Sequence, residues 1–379
     1  MTELIVIIGI ALFMAACVSR YYDEDKGIWY TEGYGRIIVV MIFLLLAVFV
    51  GLRLRMNDTM TYRNIYENDT TLFPEILKGF DWSLGSNPGF NLLNSLIKTA
   101  RFSTQSFLMI YSLITNGLYI RFLKRYSSNF LLSIFLLITT GVYLFTAAAI
   151  KQAFATALAL YALDFAIQKK WVRFITIILF AMTFHPYVLV YFAVPLLMFT
   201  PGTRRTYALI IGTIFGAIIL QRYMGLIIGF TEAFGDSYSV EEFSGAGVNL
   251  FRVAVCNAPT ILLFWFNKSL YIKSDRANSL IANLTMVNGI IMFLGIFGTA
   301  NYFARLANFF LCTQAITIPY MLRQMKDKDR KFFTVATVVG YLLYFYYENA
   351  ILYPFSSQFS RMGFFEYLVN NVFTAYIVF

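Results

Sequence analysis

Apolar runs of bilayer length recur from one end of this chain to the other, and few folds can accommodate them. They lie at 2–19, 35–52, 104–122, 129–147, 150–168, 171–185, 187–200, 206–228, 248–267, 279–298, 301–322 and 332–349, with a thirteenth at 363–379. A crossing takes roughly 17–25 residues, and in hydrocarbon every backbone N–H and C=O must be paired within the segment, which leaves helices. Charged residues make up only 13% of the chain, against about a quarter in a soluble domain. The expectation is an all-α polytopic integral membrane protein, a single transmembrane domain over 1–379 with about 12–13 helices. No cleavage site follows the first run, which therefore reads as a span.

The net charge of +10 is not an even coat. Basic residues gather at Arg121, Lys124 and Arg125, at Lys169, Lys170 and Arg173, at Arg204 and Arg205, at Lys268, Lys273 and Arg276, and between Arg323 and Lys331. Each cluster sits in a short loop between apolar runs, so the positive-inside rule makes these loops cytoplasmic and no nucleic-acid partner is needed to explain the charge. With the N-terminus outside, Arg20 and Lys26 also fall in the cytoplasm. The opposite face then receives Arg53, Arg55, Lys151, His185 and Arg305.

His185 is the only histidine, in Thr183-Phe184-His185-Pro186-Tyr187. The runs flanking it are short: 14 or 15 residues of α-helix reach only some 21 Å. A tilted or re-entrant pair is expected, with His185 and Pro186 at the turn. Two outer segments are long enough to cover a site. Residues 53–103 hold Asn87-Pro88-Gly89-Phe90, a helix-start signal, followed by Leu92, Leu93, Leu96 and Ile97 as the apolar face of a short interfacial helix. Residues 231–247 form an acidic, Gly-containing loop with Glu232, Asp236, Glu241 and Glu242.

The three cysteines, Cys17, Cys256 and Cys312, fall in spans as small apolar fillers. No His/Cys cluster has metal-ligand spacing and no Gly-rich loop ends in a phosphate-binding Lys, so neither a metal nor a cofactor is expected. Chemistry is left to single polar residues. Arg53 and Arg55 are either snorkelling anchors or guanidinium forks for phosphate oxygens. Asp58 is a loop ion-pair partner, a sugar-hydroxyl acceptor or a base. Lys151 interrupts an apolar stretch, where an idle charge is costly, and Gln152 beside it offers a sugar both donor and acceptor. His185 accepts a proton near neutral pH in its unshifted form. Arg305 enters its span with Asn301, Tyr302 and Asn308 for polar company and calls for an anion, best a substrate diphosphate.

Gly51-Leu52-Arg53, Asn57-Asp58-Thr59 with Tyr62, Pro88-Gly89-Phe90, Lys151-Gln152-Ala153, Phe184-His185, Arg305-Leu306 with Phe309 and Pro319, and Tyr353-Pro354-Phe355 together resemble the EpsG family of Wzy-like bacterial exopolysaccharide polymerases over roughly residues 45 to 360. The chain departs from the family where Lys151 replaces the commoner Arg, where Pro186-Tyr187 follows the His, and where Asn87 stands for an acidic residue. The resemblance implies a GT-C-like glycosyltransferase of the bacterial cytoplasmic membrane, acting at the outer face without metal. A polyprenyl-diphosphate-linked growing glycan would be transferred onto a lipid-linked repeat unit. A flippase and a chain-length regulator are the implied partners. On that reading Arg305, Arg53, Arg55 and Lys151 hold the diphosphate, His185 or Asp58 serves the acceptor hydroxyl, and Gln152, Tyr62 and Asn301 meet sugar. A flippase or exporter of lipid-linked oligosaccharide, or a glycan ligase, stays open. A transporter, however, would carry polar residues through the midplane, whereas here they collect at one face.

Overall fold

The computed structural model describes residues 2–222, 247–265, 275–297, 300–352 and 355. Its helices are α1 (Thr2–Ala16), α2 (Tyr34–Gly51), α3 (Thr59–Asn64), α4 (Pro88–Thr99), α5 (Thr104–Tyr126), α6 (Phe130–Thr139), α7 (Val142–Ala148), α8 (Ile150–Ile167), α9 (Trp171–Met182), α10 (Arg204–Arg222), α11 (Leu250–Trp265), α12 (Arg276–Leu294), α13 (Ala300–Leu311), α14 (Gln314–Gln324) and α15 (Asp327–Tyr346). One small hairpin, β1 (Tyr21–Asp23) and β2 (Ile28–Tyr30), joins α1 to α2. The protein is all-α and polytopic. Among the described residues five helices are long and apolar enough to cross a membrane, six if a bent pair counts as one span, and four shorter apolar helices accompany them.

Among the described residues several of the expected apolar runs are broken. The run at 129–147 splits at Gly141, whose φ of +87° only glycine adopts freely, and α6 and α7 meet at a 49° bend. The run at 301–322 breaks at Cys312 and Thr313, between α13 and α14. After His185 the chain winds as a 3-10 helix over Pro186–Leu197, with Pro195 inside it. At about 2.0 Å rise per residue that segment reaches roughly 24 Å, more than an α-helix of the same length. Hydropathy counts apolar residues and is blind to such breaks. The thirteenth run at 363–379 and nearly all of the 231–247 loop lie outside the described residues.

Helix α5 sits centrally, packed on α2 and α8. Ser103 caps its start, accepting from the Ser106 amide at 3.1 Å. Its two ends hold two different polar assemblies. At the far end Asp164 of α8, almost fully buried, accepts from Arg121, from Arg125 Nε at 3.2 Å and from the Tyr126 hydroxyl. Nearby, Arg20 donates to the Lys124 carbonyl, Arg323 stacks over Trp29 at 4.7 Å, and Tyr22 donates to Asp275 at 2.7 Å. Arg20 and basic residues of two of the clusters read as cytoplasmic thus come together at one end. At the near end Gln105 donates to the Gly51 carbonyl and, at 3.4 Å, to that of Arg53. From Gln105 to Tyr126 the helix rises roughly 30 Å, about the thickness of a hydrocarbon core.

The second half is tied by polar groups inside apolar packing. Gln314 donates to Asn288 Oδ1 at 2.8 Å and accepts from Tyr341 at 2.7 Å, while Asn288 donates to the Ala307 carbonyl at 2.7 Å. Thr285 bonds both Thr313 and Thr317, at 2.8 and 2.7 Å. Where lipid offers no partner, such groups bond across helices and fix how α12, α13, α14 and α15 pack.

Candidate active site

Leaving α2, the chain turns Arg53 inward, so that it is only 2% exposed. Its Nε donates to Thr59 Oγ1 at 3.0 Å and its Nη1 to the Val50 carbonyl at 2.7 Å. Arg53 is therefore held by the protein on two of its donors and forms a wall more than a free fork. Tyr62, one turn into α3 and also buried, lies within electrostatic reach of Asp58, Arg53 and Arg305 and meets the Lys151 backbone. Burial first, then the Asp58 charge, push its hydroxyl up to about 12, so Tyr62 remains a donor.

The Asn87-Pro88-Gly89-Phe90 signal does start a helix, α4, with Asn87 in the left-handed region at φ +54° and Pro88 at the first position. Its buried face keeps Ile97, with Leu93 partly covered, and adds Phe90 and Asn94, which the apolar pattern did not mark. Phe90, Asn94 and Ile97 pack inward, at spacings of four and three, while Leu96 is exposed. Asn94 Oδ1 accepts from Tyr111 at 3.0 Å, so α4 is docked on the bundle through this face. The docking is tight at Gly89, whose amide donates to the Thr183 carbonyl at 2.9 Å. A Cβ there would sit 2.1 Å from Thr183 Oγ1. Pro88-Gly89-Phe90 is thereby seated on the turn that carries His185.

Phe90 links the two sides. Its ring lies 6.0 Å from Tyr62 and 5.6 Å from the Lys151 ammonium, a cation-π distance. Lys151 begins α8, and the next residue, Gln152, donates from Nε2 to the Arg305 carbonyl at 2.6 Å. That bond joins the start of α8 to α13 and uses one of the two N–H donors of the Gln152 amide.

His185 stands in the connection between α9 and the 3-10 helix, with its ring 5.3 Å from Tyr187 and 5.6 Å from Phe309. Its Nδ1 is buried without a hydrogen-bond partner. Burial, then the charges of Lys151 and Arg305, hold the imidazole below its ordinary value, so it is neutral and one of its ring nitrogens is an acceptor. Arg305 is exposed on α13.

Arg53, Tyr62, Lys151, His185 and Arg305 thus converge, with Gln152 as the brace between two of them. Asp58 is exposed at the rim, next to Asn57 at φ +41°. Arg55 is exposed and makes none of the contacts that gather the others among the described residues. The Asn301 side chain lies outside the described residues. Sequence reasoning missed Gln105, whose Oε1 also accepts from Arg63 at 3.3 Å, and Phe90 as the aromatic hub. An aromatic immediately after Pro-Gly was visible, but nothing in a linear pattern says which ring will face a distant Lys. Among the described residues the site gathers three cations, one neutral imidazole and one phenol, with the Asp58 carboxylate at its rim; such a site attracts an anion and can accept a proton.

No curated protein and no solved structure matches this chain. A family model does match over residues 36–368, and the chain belongs to the EpsG family, whose members are Wzy-like polysaccharide polymerases.

Proposed function

We propose that this protein transfers a growing glycan from its polyprenyl diphosphate onto a lipid-linked repeat unit, at the outer face of the bacterial cytoplasmic membrane. The observation that carries the reading is the convergence of Arg53, Lys151 and Arg305 on the turn that holds His185. A hydroxyl of the acceptor sugar attacks the anomeric carbon, the bond from that carbon to the diphosphate oxygen breaks, and the lipid diphosphate leaves with the electron pair. Negative charge grows on the leaving oxygen, where Arg305 and Lys151 stabilise it without reorganising. Arg53 keeps the wall behind them positive. The acceptor's proton passes to the neutral imidazole of His185, or to Asp58 at the rim, and then to solvent. Resident cations take the part that a divalent ion plays elsewhere, so the transfer needs no metal. The multi-span GT-C class is the architecture this chemistry fits.

The test is to incubate the purified chain in lipid with the host's polyprenyl-diphosphate repeat unit and resolve products by size. A ladder of repeat multiples, undiminished by chelator, is expected. Intact protein and intact substrate with no ladder would sink the proposal and favour a flippase or a ligase. Orientation is read separately: a cysteine placed at position 185 should label with an impermeant maleimide from outside, and labelling only from the cytoplasm would overturn the topology.

A further inference from the structure

Beside the cationic cluster lies a cavity of about 620 Å³ with a different chemistry. Its walls include Asn57 next to Asp58, Thr140 at the α6–α7 bend, and Asn308, which is one helical turn from Arg305 on α13. Across the cavity stand Arg252 of α11 and Glu348 in the π-helical turn Tyr347–Leu352 that follows α15. Glu348 Oε2 accepts from Arg252 Nη2. Its other oxygen, Oε1, is buried and has no hydrogen-bond partner. A buried carboxylate oxygen left unmatched is costly to keep, and a ligand that donates to it removes the cost.

The charge balance says which ligand. Arg252 and Glu348 neutralise each other, so this cavity, unlike the cluster around Arg305, gains nothing from holding an anion. What it offers is a carboxylate oxygen, the side-chain amide of Asn308, the Thr140 hydroxyl oxygen, and the faces of Tyr344 and Phe145. Thr140 spends its proton on the Leu136 carbonyl and presents lone pairs. Acceptors and amides around aromatic faces match an uncharged polyhydroxyl ligand, whose hydroxyls donate and whose C–H faces pack on rings. The volume falls in the range of small-molecule sites, roughly 300–1,000 Å³.

We propose that this cavity binds the glycan end of the acceptor repeat unit, with Glu348 Oε1 accepting a hydrogen bond from a sugar hydroxyl. The assignment rests on the polymerase reading above, and gives its second substrate a place distinct from the diphosphate site. Glu348 is a binding residue in this account, and the proton still leaves through His185 or Asp58.

The experiment uses the full chain in lipid nanodiscs and two probes: the host's repeat-unit oligosaccharide released from its lipid and diphosphate, and inorganic diphosphate. Wild-type protein binds both. Glu348→Gln, which keeps shape but replaces an acceptor oxygen, and Asn308→Leu, which fills the cavity from another helix, should each weaken the oligosaccharide at least tenfold and leave diphosphate binding unchanged. Arg305→Ala should do the reverse. Oligosaccharide that fails to bind the wild type, or binding untouched by both cavity variants, overturns the assignment. Oligosaccharide binding that behaves as expected in a protein forming no ladder sinks the polymerase reading instead and leaves the cavity standing.

Discussion

Replacing Gly89 by Ala tests whether the docking of α4 on the His185 turn sets catalytic geometry. The added Cβ would lie 2.1 Å from Thr183 Oγ1, 2.9 Å from Thr183 Cβ and 3.0 Å from Phe184 Cε2. Non-bonded atoms are comfortable at about 3.5 Å or more, so α4 and the turn must part by more than about 1 Å. The nearest atoms belong to the Thr183 and Phe184 side chains, and Thr183 Cβ, bonded directly to the backbone, cannot swing away as a long side-chain tip could. Overpacking of this kind costs roughly 1–3 kcal/mol, which a bundle this large survives. Catalysis is less forgiving: a misplacement of about 1 Å is worth on the order of 100-fold in rate. Gly89→Ala should therefore insert and purify normally, yet extend the glycan ladder about 100-fold more slowly. Thr183→Ala removes the 2.1 Å contact and leaves the one at 2.9 Å, so the double variant should recover part of the loss. Initial rates of ladder growth, normalised to folded protein, read both. A Gly89→Ala enzyme within a few-fold of wild type, or a double variant no faster than the single, would refute the reasoning.

Arg305→Ala should lower turnover by about 10²–10³, the usual cost of one preorganised charge donor. Arg305→Lys keeps the charge without the fork and should fall between; near-normal polymer from properly inserted Arg305→Ala removes Arg305 from the diphosphate site. Because burial, Lys151 and Arg305 depress the His185 imidazole, it is already neutral above and below the ordinary histidine range. The kcat/KM profile should then run flat through pH about 6.5, and an inflection there that disappears in His185→Gln would contradict it. Asp164→Ala strips the shared acceptor from Arg121, Arg125 and Tyr126. Both arginines are partly exposed, so the loss should be about 1–3 kcal/mol, below that of a fully buried pair. A lowered Tm in nanodiscs with unchanged ladder length per folded molecule is expected, and an unchanged Tm would show that solvent already satisfies the arginines.

Much of the candidate site was legible because charge in a membrane protein is scarce enough to be informative. Arg53, Lys151, His185 and Arg305 were picked out by their position at one boundary, and the fold brings them together. Tyr62 came with them through its motif. The bracing part of Gln152 was not legible: an amide beside a Lys looks like a ligand contact, and only the approach of α13 shows one of its two N–H donors on a backbone carbonyl. The buried face of α4 was legible only in part, because Leu92 and Leu96 outrank Asn94 in hydropathy, whereas Tyr111 gives Asn94 a buried partner. Arg252 and Glu348 stayed hidden for a related reason. Each looks like an isolated charge in its own apolar surroundings, and their pairing across 96 residues is a property of packing. The β-hairpin after α1 left too short a pattern to be seen.

Helix α5 grips both polar assemblies at once, through Gln105 at one end and Tyr126 at the other. That makes it a ruler. Inserting one residue into it would turn everything beyond by about 100° and advance it about 1.5 Å, tearing one grip from its partner. Inserting seven would restore the phase but add about 10 Å, a third of a bilayer. No small change in its length leaves both ends seated. The depth of the cationic site above the opposite face is thus quantised, and the membrane thickness in which this chain can work is written into a single helix.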